Sequence, residues 1–139
     1  MPVFESVVVG ATNSAGGARA LARAVQLVRA SGGQLHAVAA VGNDDAGAPW
    51  MPEEFRYTAM ASGPGDWALC QAKAQAASAR VPVTTHPVLA DPATAIAMVA
   101  RQEGADLIVV GAGERHGERH LSGVDQDIVD HAGCPVLIV

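Results

Sequence analysis

Short apolar runs alternate with longer amphipathic segments along this chain. Val7-Val8-Val9 is a run of three valines that ends at Gly10, and residues 107–110 form a Leu-Ile-Val-Val run that ends at Gly111. Continuous apolar runs of this length are typical of buried strands in a parallel sheet. Three further strands are predicted at 35–41, 81–89 and 135–139.

The segments between these runs have helical spacing and helix-terminating residues. Leu21, Val25 and Val28 fall on one stripe of a helix that begins after the N-capping residues Thr12-Asn13-Ser14 and ends at Gly32-Gly33. Asp91-Pro92 predicts a second start, with a carboxylate cap and a proline in the first turn. Helices are therefore expected between the caps at 12–14 and Gly32, at 67–80, from Pro92 to Gly104 and at 124–131.

Strands and helices alternate throughout, from a first strand to a fifth. This order predicts an α/β fold: one domain over residues 1–139, with a five-stranded parallel sheet and helices on both faces, of the Rossmann-like or flavodoxin-like type. The length of 139 residues suits one domain of this kind.

Composition excludes several classes of protein. The net charge of −5 argues against a nucleic-acid partner, because binding phosphates needs a basic surface. No apolar run reaches the length of a membrane span, and the first ten residues lack the features of a secretory signal. Cys70 and Cys134 are too few for a disulfide framework. A cytoplasmic protein without membrane contact is expected.

A stretch rich in Gly, Pro and acidic residues runs from Gly42 to Asp66. Trp50, Phe55 and Tyr57 lie in it, and Trp67 follows it directly. Long irregular segments in compact domains are commonly functional or mobile. Packing of these aromatic side chains on their own domain is favoured over packing on a partner subunit.

Two loops with suitable chemistry follow the first and fourth strands. In open parallel sheets, ligands bind beyond the carboxyl ends of the strands where the strand order reverses. If these two strands are neighbours, residues 10–14 and the loop GAGERHGERHLSGV from Gly111 share one crevice. Glycines and a helix N-terminus near Ser122-Gly123 favour anion binding there. The alternative is a solvated, flexible loop, and a Walker-type phosphate loop is excluded.

Neither the histidines nor the serines predict an active centre. His116 and His120 have the spacing of two ligands on a helix, but glycine interrupts their loop and no Cys or paired carboxylates complete a metal shell. His36 is interpreted as a packed histidine, and His131 as a residue at the negative end of the last helix. Ser14 and Ser122 have no nucleophile elbow, so an enzyme is not expected.

Four segments, SVVVGATNS, VLADPATAI, GADLIVVGAG and HAGCPVLIV, together resemble the universal stress protein family. They span nearly the whole chain in the family's order, and the last is the most specific. The resemblance implies a stress-response protein that forms a homodimer, often through the last strand, which here is Pro135 to Val139. It also implies ATP or a related adenine nucleotide as the ligand, with Mg²⁺ as a possible companion.

The resemblance weakens at the family's glycine motif, G-x2-G-x9-G-[ST]. Gly111 takes the first position, but Glu114 stands at the second. If Gly113 is taken as the second glycine, nine residues separate it from Gly123, and Val124 then stands in place of the serine or threonine. Counting back from Cys134-Pro135 puts Ser122 at the last glycine. In the loop after the first strand, Thr12 replaces the family's usual aspartate. Both alignments of the glycine motif therefore predict weakened nucleotide binding.

The resemblance places the nucleotide on the following residues. Ala11, Thr12 and Asn13 would line the base and ribose, and Val41 would pack on the base. Arg115 and Arg119 are candidate phosphate contacts. The remaining residues would wrap the ribose and phosphates: Val110, Gly111, Ala112, Gly113, Ser122, Gly123 and Val124.

Two other functions stay open beside weak nucleotide binding without efficient catalysis. One is a dimeric interaction or regulatory protein of the same fold that binds no nucleotide. The other is slow ATP hydrolysis, for which only Asp91 and Asp125 are candidate metal-binding carboxylates. Asp91 is already explained as a helix cap.

Overall fold

The structure is a computed structural model that describes residues 3–40 and 64–139, the side chains of 64–66 excepted. Seven strands and four helices lie in these residues. In chain order they are β1 Ser6–Gly10, α1 Ala15–Ser31, β2 Gln34–Ala40, α2 Pro64–Ser78, β3 Val83–Val88, α3 Pro92–Gln102, β4 Leu107–Val110, β5 Gly113–Arg115, β6 Glu118–His120, α4 Gly123–His131 and β7 Val136–Ile138.

Five of the strands form one parallel sheet in the order β3-β2-β1-β4-β7. This confirms the predicted five-stranded parallel sheet. Val8 of β1 pairs with His36 on one side and with Ile108 on the other. The strand order reverses between β1 and β4, so the loops that follow these two strands are neighbours, which is the condition for one shared crevice.

Helices cover both faces of the sheet. On one face, Val7 and Val9 pack with α1 and α2, and on the other Val8 and Ile108 pack with α3 and α4. All five residues of β1 are buried, which explains why its sequence is a continuous apolar run instead of an alternating one.

The helix ends carry the predicted signals. The Ser14 hydroxyl accepts a hydrogen bond from the Gly17 amide, and Gly32 closes α1 in the left-handed conformation with φ of 81°. Asp91 caps α3 through the Thr94 amide. His131 lies at the end of α4, with its Nδ1 2.8 Å from the Asp127 carbonyl oxygen.

The structure differs from the sequence-based prediction in three places. The loop after β4 contains an antiparallel hairpin of β5 and β6, where no regular structure was predicted. Helix α2 begins at Pro64, inside the stretch expected to be irregular. Trp67 is 60% exposed, so it does not join the described core. Val41 and most of Gly42 to Asp66 lie outside the described residues.

None of the helices in the described part of the chain has both the length and the apolar character needed to cross a bilayer.

Replacing Asp91 with alanine tests the capping of α3 through its pH dependence. Hydrogen bonds from the Thr94 hydroxyl, and then from its amide, hold the pKa of Asp91 below its ordinary value of 3.8. A carboxyl with a lower pKa in the folded state stabilises the protein above its unfolded pKa and loses this effect as the pH falls through its folded pKa. The difference in melting temperature between wild type and Asp91→Ala should therefore be constant above about pH 5 and shrink below 3.8.

Asp127→Ala, which removes an exposed carboxylate within α4, is the control for this measurement. A wild-type advantage over Asp91→Ala that stayed constant down to the acid transition would contradict the capping role.

Candidate functional site

The carboxyl ends of β1 and β4 open into a cleft of about 480 Å³. Its walls come from the loops after these strands and from the first turns of α1, α3 and α4. The residues that line it are Gly10, Thr12, Ser14, Ala15, Gly16, Gly17, Pro92, Ile96, Val110, Gly111, Ala112, Gly113, Glu114, Ser122, Val124, Asp125 and Ile128.

Close backbone contact between Gly16 and Gly111 joins the two loops. A Cβ atom added to Gly111 would overlap the backbone of Gly16, and one added to Gly16 would lie 2.7 Å from the Ala112 carbonyl oxygen. Only glycine allows this approach. The two glycines therefore bring the start of α1 against the end of β4 and fix the back of the cleft.

Three helix N-termini face the cleft, those of α1, α3 and α4. Their first amides have no partner within the helix, and the helix dipole makes this end positive. In α4 the Ser122 hydroxyl accepts from the Asp125 amide, and the Asp125 carboxylate accepts from the Ser122 amide. The amides of Gly123 and Val124 are left without an intrahelical partner, which favours an anion at this point.

The polar side chains of the cleft are already engaged in local hydrogen bonds. The hydroxyls of Thr12 and Ser14 lie 2.7 Å apart, and Ser14 also caps α1. Asp125 is 3% exposed and completes the capping box of α4. These groups order the loops, and none of them is arranged as a nucleophile beside a base.

An ion pair joins α1 to the loop after β4. Arg19 donates to Glu114 at 2.7 Å, and its second terminal nitrogen lies 3.4 Å from the Ala112 carbonyl oxygen. Without a partner, the negative charge of Glu114 would repel phosphates in the cleft. Arg19 offsets that charge, and it was missed because it falls outside the buried stripe of its helix.

The β5–β6 hairpin positions the charged residues of this loop. His116 and Gly117 form its turn with φ of 54° and 79°. Arg115 and Arg119 are exposed on the two strands and do not line the cleft. Their contact with phosphate therefore stays a prediction.

Most of the other predicted site residues lie around the cleft. Ala11 and Asn13 line a neighbouring pocket of about 310 Å³ between α1 and α2, which Thr12 shares. Gly123 begins α4 beside the cleft, and Val41 lies outside the described residues. The predicted residues that line the cleft are Thr12, Val110, Gly111, Ala112, Gly113, Ser122 and Val124.

Sequence reasoning missed the apolar wall formed by Ile96 and Ile128. Both belong to buried helical stripes, Ile96 on α3 and Ile128 on α4. Since α3 starts at the cleft, a buried residue in its second turn lies between the core and the cleft. The helix start predicted from Asp91-Pro92 could therefore have identified Ile96 as a residue of the cleft wall.

The family assignment follows from comparison with known proteins. The family model described as "Universal stress protein family" matches residues 4–139. The chain belongs to the universal stress protein family. The resemblance of the sequence to this family is thereby confirmed. The comparison with curated protein sequences returned no match.

Solved structures of universal stress proteins share the fold. A universal stress protein in complex with cAMP is 28% identical, with a TM-score of 0.70, and the match covers 98% of this chain and 97% of that one. A Lactobacillus plantarum protein is 20% identical, with a TM-score of 0.78 and coverage of 98% and 97%. An Archaeoglobus fulgidus protein in complex with dAMP is 19% identical, with a TM-score of 0.67 and coverage of 99% and 98%.

Alanine at Gly111 tests the contact that fixes the cleft. Gly111→Ala should lower the free energy of unfolding by about 1–3 kcal/mol, because the new methyl group overlaps the Gly16 backbone. Gly123→Ala is the matched control, since nothing lies within 4 Å of its added Cβ. Urea unfolding measures both, and equal stabilities of the two variants would contradict the role of this contact.

Proposed function

We propose that this universal stress protein binds an adenine nucleotide weakly in the cleft between β1 and β4, in the service of a stress response. The observation that carries the proposal is the cleft itself, which combines apolar walls with helix N-termini at the carboxyl ends of the central strands. The 28% identical universal stress protein solved with cAMP supports the choice of ligand.

The size and the walls of the cleft suit a nucleoside. Its volume of about 480 Å³ lies within the range of small-molecule sites. Val110, Ile96 and Ile128 provide an apolar surface, and the backbone amides of the glycine loops provide hydrogen-bond donors. An aromatic base has a large apolar face and a polar edge, which this combination accommodates.

The charges around the cleft favour one phosphate over three. Among the described residues that line it, none is Lys, Arg or His, whereas Glu114 and Asp125 are acidic. Val124 provides no hydroxyl for a phosphate. The amides at the start of α4 are suited to a single anionic group, and further phosphates would approach the two carboxylates. We therefore infer that cAMP and AMP bind more tightly than ATP.

We infer that the protein binds the nucleotide without hydrolysing it efficiently. Ser14, Ser122, Asp91 and Asp125 are occupied as helix caps, so the polar groups nearest the cleft stabilise its walls. This supports a binding protein over an ATPase. Binding of Mg²⁺ together with the nucleotide stays an expectation.

The nucleotide proposal is tested by calorimetric titration with cAMP, AMP and ATP. Val124 lines the cleft and is 44% exposed, so Val124→Glu adds a negative charge beside the proposed phosphate position without filling the core. We expect this variant to lose at least about tenfold in affinity, which corresponds to about 1.4 kcal/mol. Wild type should bind cAMP and AMP more tightly than ATP.

Val129→Glu is the matched control, because Val129 lies on the same helix at 42% exposure and does not line the cleft. It should bind like wild type. No binding of any adenine nucleotide by wild type would refute the proposal, and equal losses in the two variants would place the ligand elsewhere.

We also propose that the protein forms a homodimer through β7. An interaction protein of this fold would act through the same interface. β7 is an edge strand of the sheet, hydrogen-bonded to β4 on one side. Its sequence is apolar, and Leu137 is 37% exposed. Unpaired edges of this kind are templates for pairing with another chain.

Leu137→Lys tests the dimer by sedimentation equilibrium. A buried charge in the interface should raise the dimer dissociation constant at least about tenfold. Met98→Lys, at a 41% exposed position on α3, should leave association unchanged. A monomeric wild type, or a dimer that tolerates Leu137→Lys, would rule out this interface.

A further inference from the structure

A cluster of two histidines and a glutamate lies toward the β3 edge of the sheet, and none of its residues lines the nucleotide cleft. His36 is on β2, His86 is on the edge strand β3, and Glu103 follows α3 directly. Helix α3 starts at Pro92 beside the cleft, and 11 residues of helix carry the chain roughly 16 Å away from it. The cluster is therefore separate from the proposed nucleotide site.

The side chains of the cluster are in close contact. His36 Nδ1 and His86 Nε2 lie 3.0 Å apart, and the two rings are tilted by 44°. His36 Nε2 lies 3.8 Å from a carboxylate oxygen of Glu103. One ligand atom from each residue can be chosen so that all three lie within 4.8 Å of one another. Three metal-ligating groups thus converge on one small volume.

One ring nitrogen of the buried His36 side chain lacks a hydrogen-bond partner among the described residues. His36 is 3% exposed, and its Nε2 has no hydrogen-bond partner within the described parts of the chain. The distance to Glu103 is too long for a hydrogen bond. A buried polar atom without a hydrogen-bond partner destabilises the folded state, so such an atom in a native protein calls for an explanation.

The burial of His36 favours the neutral form of its ring, which is the form that binds a metal ion. Burial lowers the pKa of His36, because desolvation disfavours the imidazolium form; Glu103 acts in the opposite direction, and His86 lowers the pKa further. The neutral imidazole therefore predominates at neutral pH, and neutral imidazole is the form that binds metal ions.

We propose that His36, His86 and Glu103 bind a divalent transition metal ion of the Zn²⁺ class. Two imidazole nitrogens and one carboxylate oxygen suit Zn²⁺ and similar ions, whereas Mg²⁺ and Ca²⁺ prefer oxygen ligands. Three protein ligands leave a fourth position for water or another ligand.

A site built on the unpartnered Nε2 of His36 needs a small approach of Glu103 and a turn of the His86 ring. His36 Nε2 and the Glu103 carboxylate oxygen lie 3.8 Å apart, whereas two ligand atoms of one tetrahedral Zn²⁺ at about 2.0–2.1 Å lie about 3.4 Å apart. His86 Nε2, which lies 3.0 Å from His36 Nδ1, would turn toward the same ion. Glu103 has a side chain that is 36% exposed, which leaves it free to rotate toward the ion. The same exposure gives the metal a path from solvent.

The competing account is a hydrogen-bonded chain without metal, in which Glu103 approaches His36 and His36 bonds to His86. Both accounts use the same contacts, and only the metal-site account predicts saturable metal binding. They are distinguished by calorimetric titration of the full chain with ZnCl₂ at neutral pH, followed by the ring signals of the histidines in NMR spectra.

We expect one Zn²⁺ per chain at the cluster, with the ring signals of His36 and His86 shifted. Glu103→Gln and His86→Gln should each lower the affinity at least about tenfold. Glu103 is exposed, so Glu103→Gln gives a folded variant even where a change at a histidine impairs folding. The double variant His116→Gln/His120→Gln removes two exposed hairpin histidines and should bind Zn²⁺ like wild type.

Absence of saturable Zn²⁺ binding in wild type would overturn the proposal in favour of the hydrogen-bonded chain. Binding that Glu103→Gln and His86→Gln leave unchanged, or that is lost in the hairpin double variant, would overturn it as well. Nucleotide titrations of the same variants should match wild type, so failure of the metal proposal is distinguishable from failure of the nucleotide proposal.

Discussion

The backbone contact between Gly16 and Gly111 is the constraint on which the candidate site depends. It holds the first turn of α1 against the end of β4, and a side chain at either position would push the two apart. The parallel pairing of β1 with β4 brings the two loops to one edge of the sheet. The contact of the two glycines then determines how closely they approach, and therefore the shape of the cleft behind any ligand.

Electrostatics then decide which ligand suits this shape. Helix N-termini provide partial positive charge through backbone amides, while the side chains at the cleft provide two carboxylates. Arg19 offsets one of them by pairing with Glu114, and Asp125 is held in the capping box of α4. The proposed anion site is thus built from backbone, and the carboxylates around it limit the total negative charge of a ligand. This is the physical reason for expecting weak binding with a preference for few phosphates.

Features that depend on local sequence were predictable, and features that depend on distant pairs were not. The valine run of β1 and the caps at Ser14 and Asp91 act within a few residues, so their patterns identified the sheet and the helix starts. The Arg19–Glu114 pair joins positions 95 apart, and the His36–His86 pair joins positions 50 apart. Neither leaves a local pattern. The β5–β6 hairpin was missed because its residues are charged, without the apolar alternation that predicts strands.

The central claim is that one ligand contacts the ends of both β1 and β4. Backbone amide NMR spectra recorded during a titration with cAMP test it most directly. We expect saturable shifts of the amides of Gly16, Gly111 and Gly123, with Gly32 and Gly104 at the opposite helix ends unaffected. Shifts confined to one of the two loops, or absent from both at saturating cAMP, would contradict the claim.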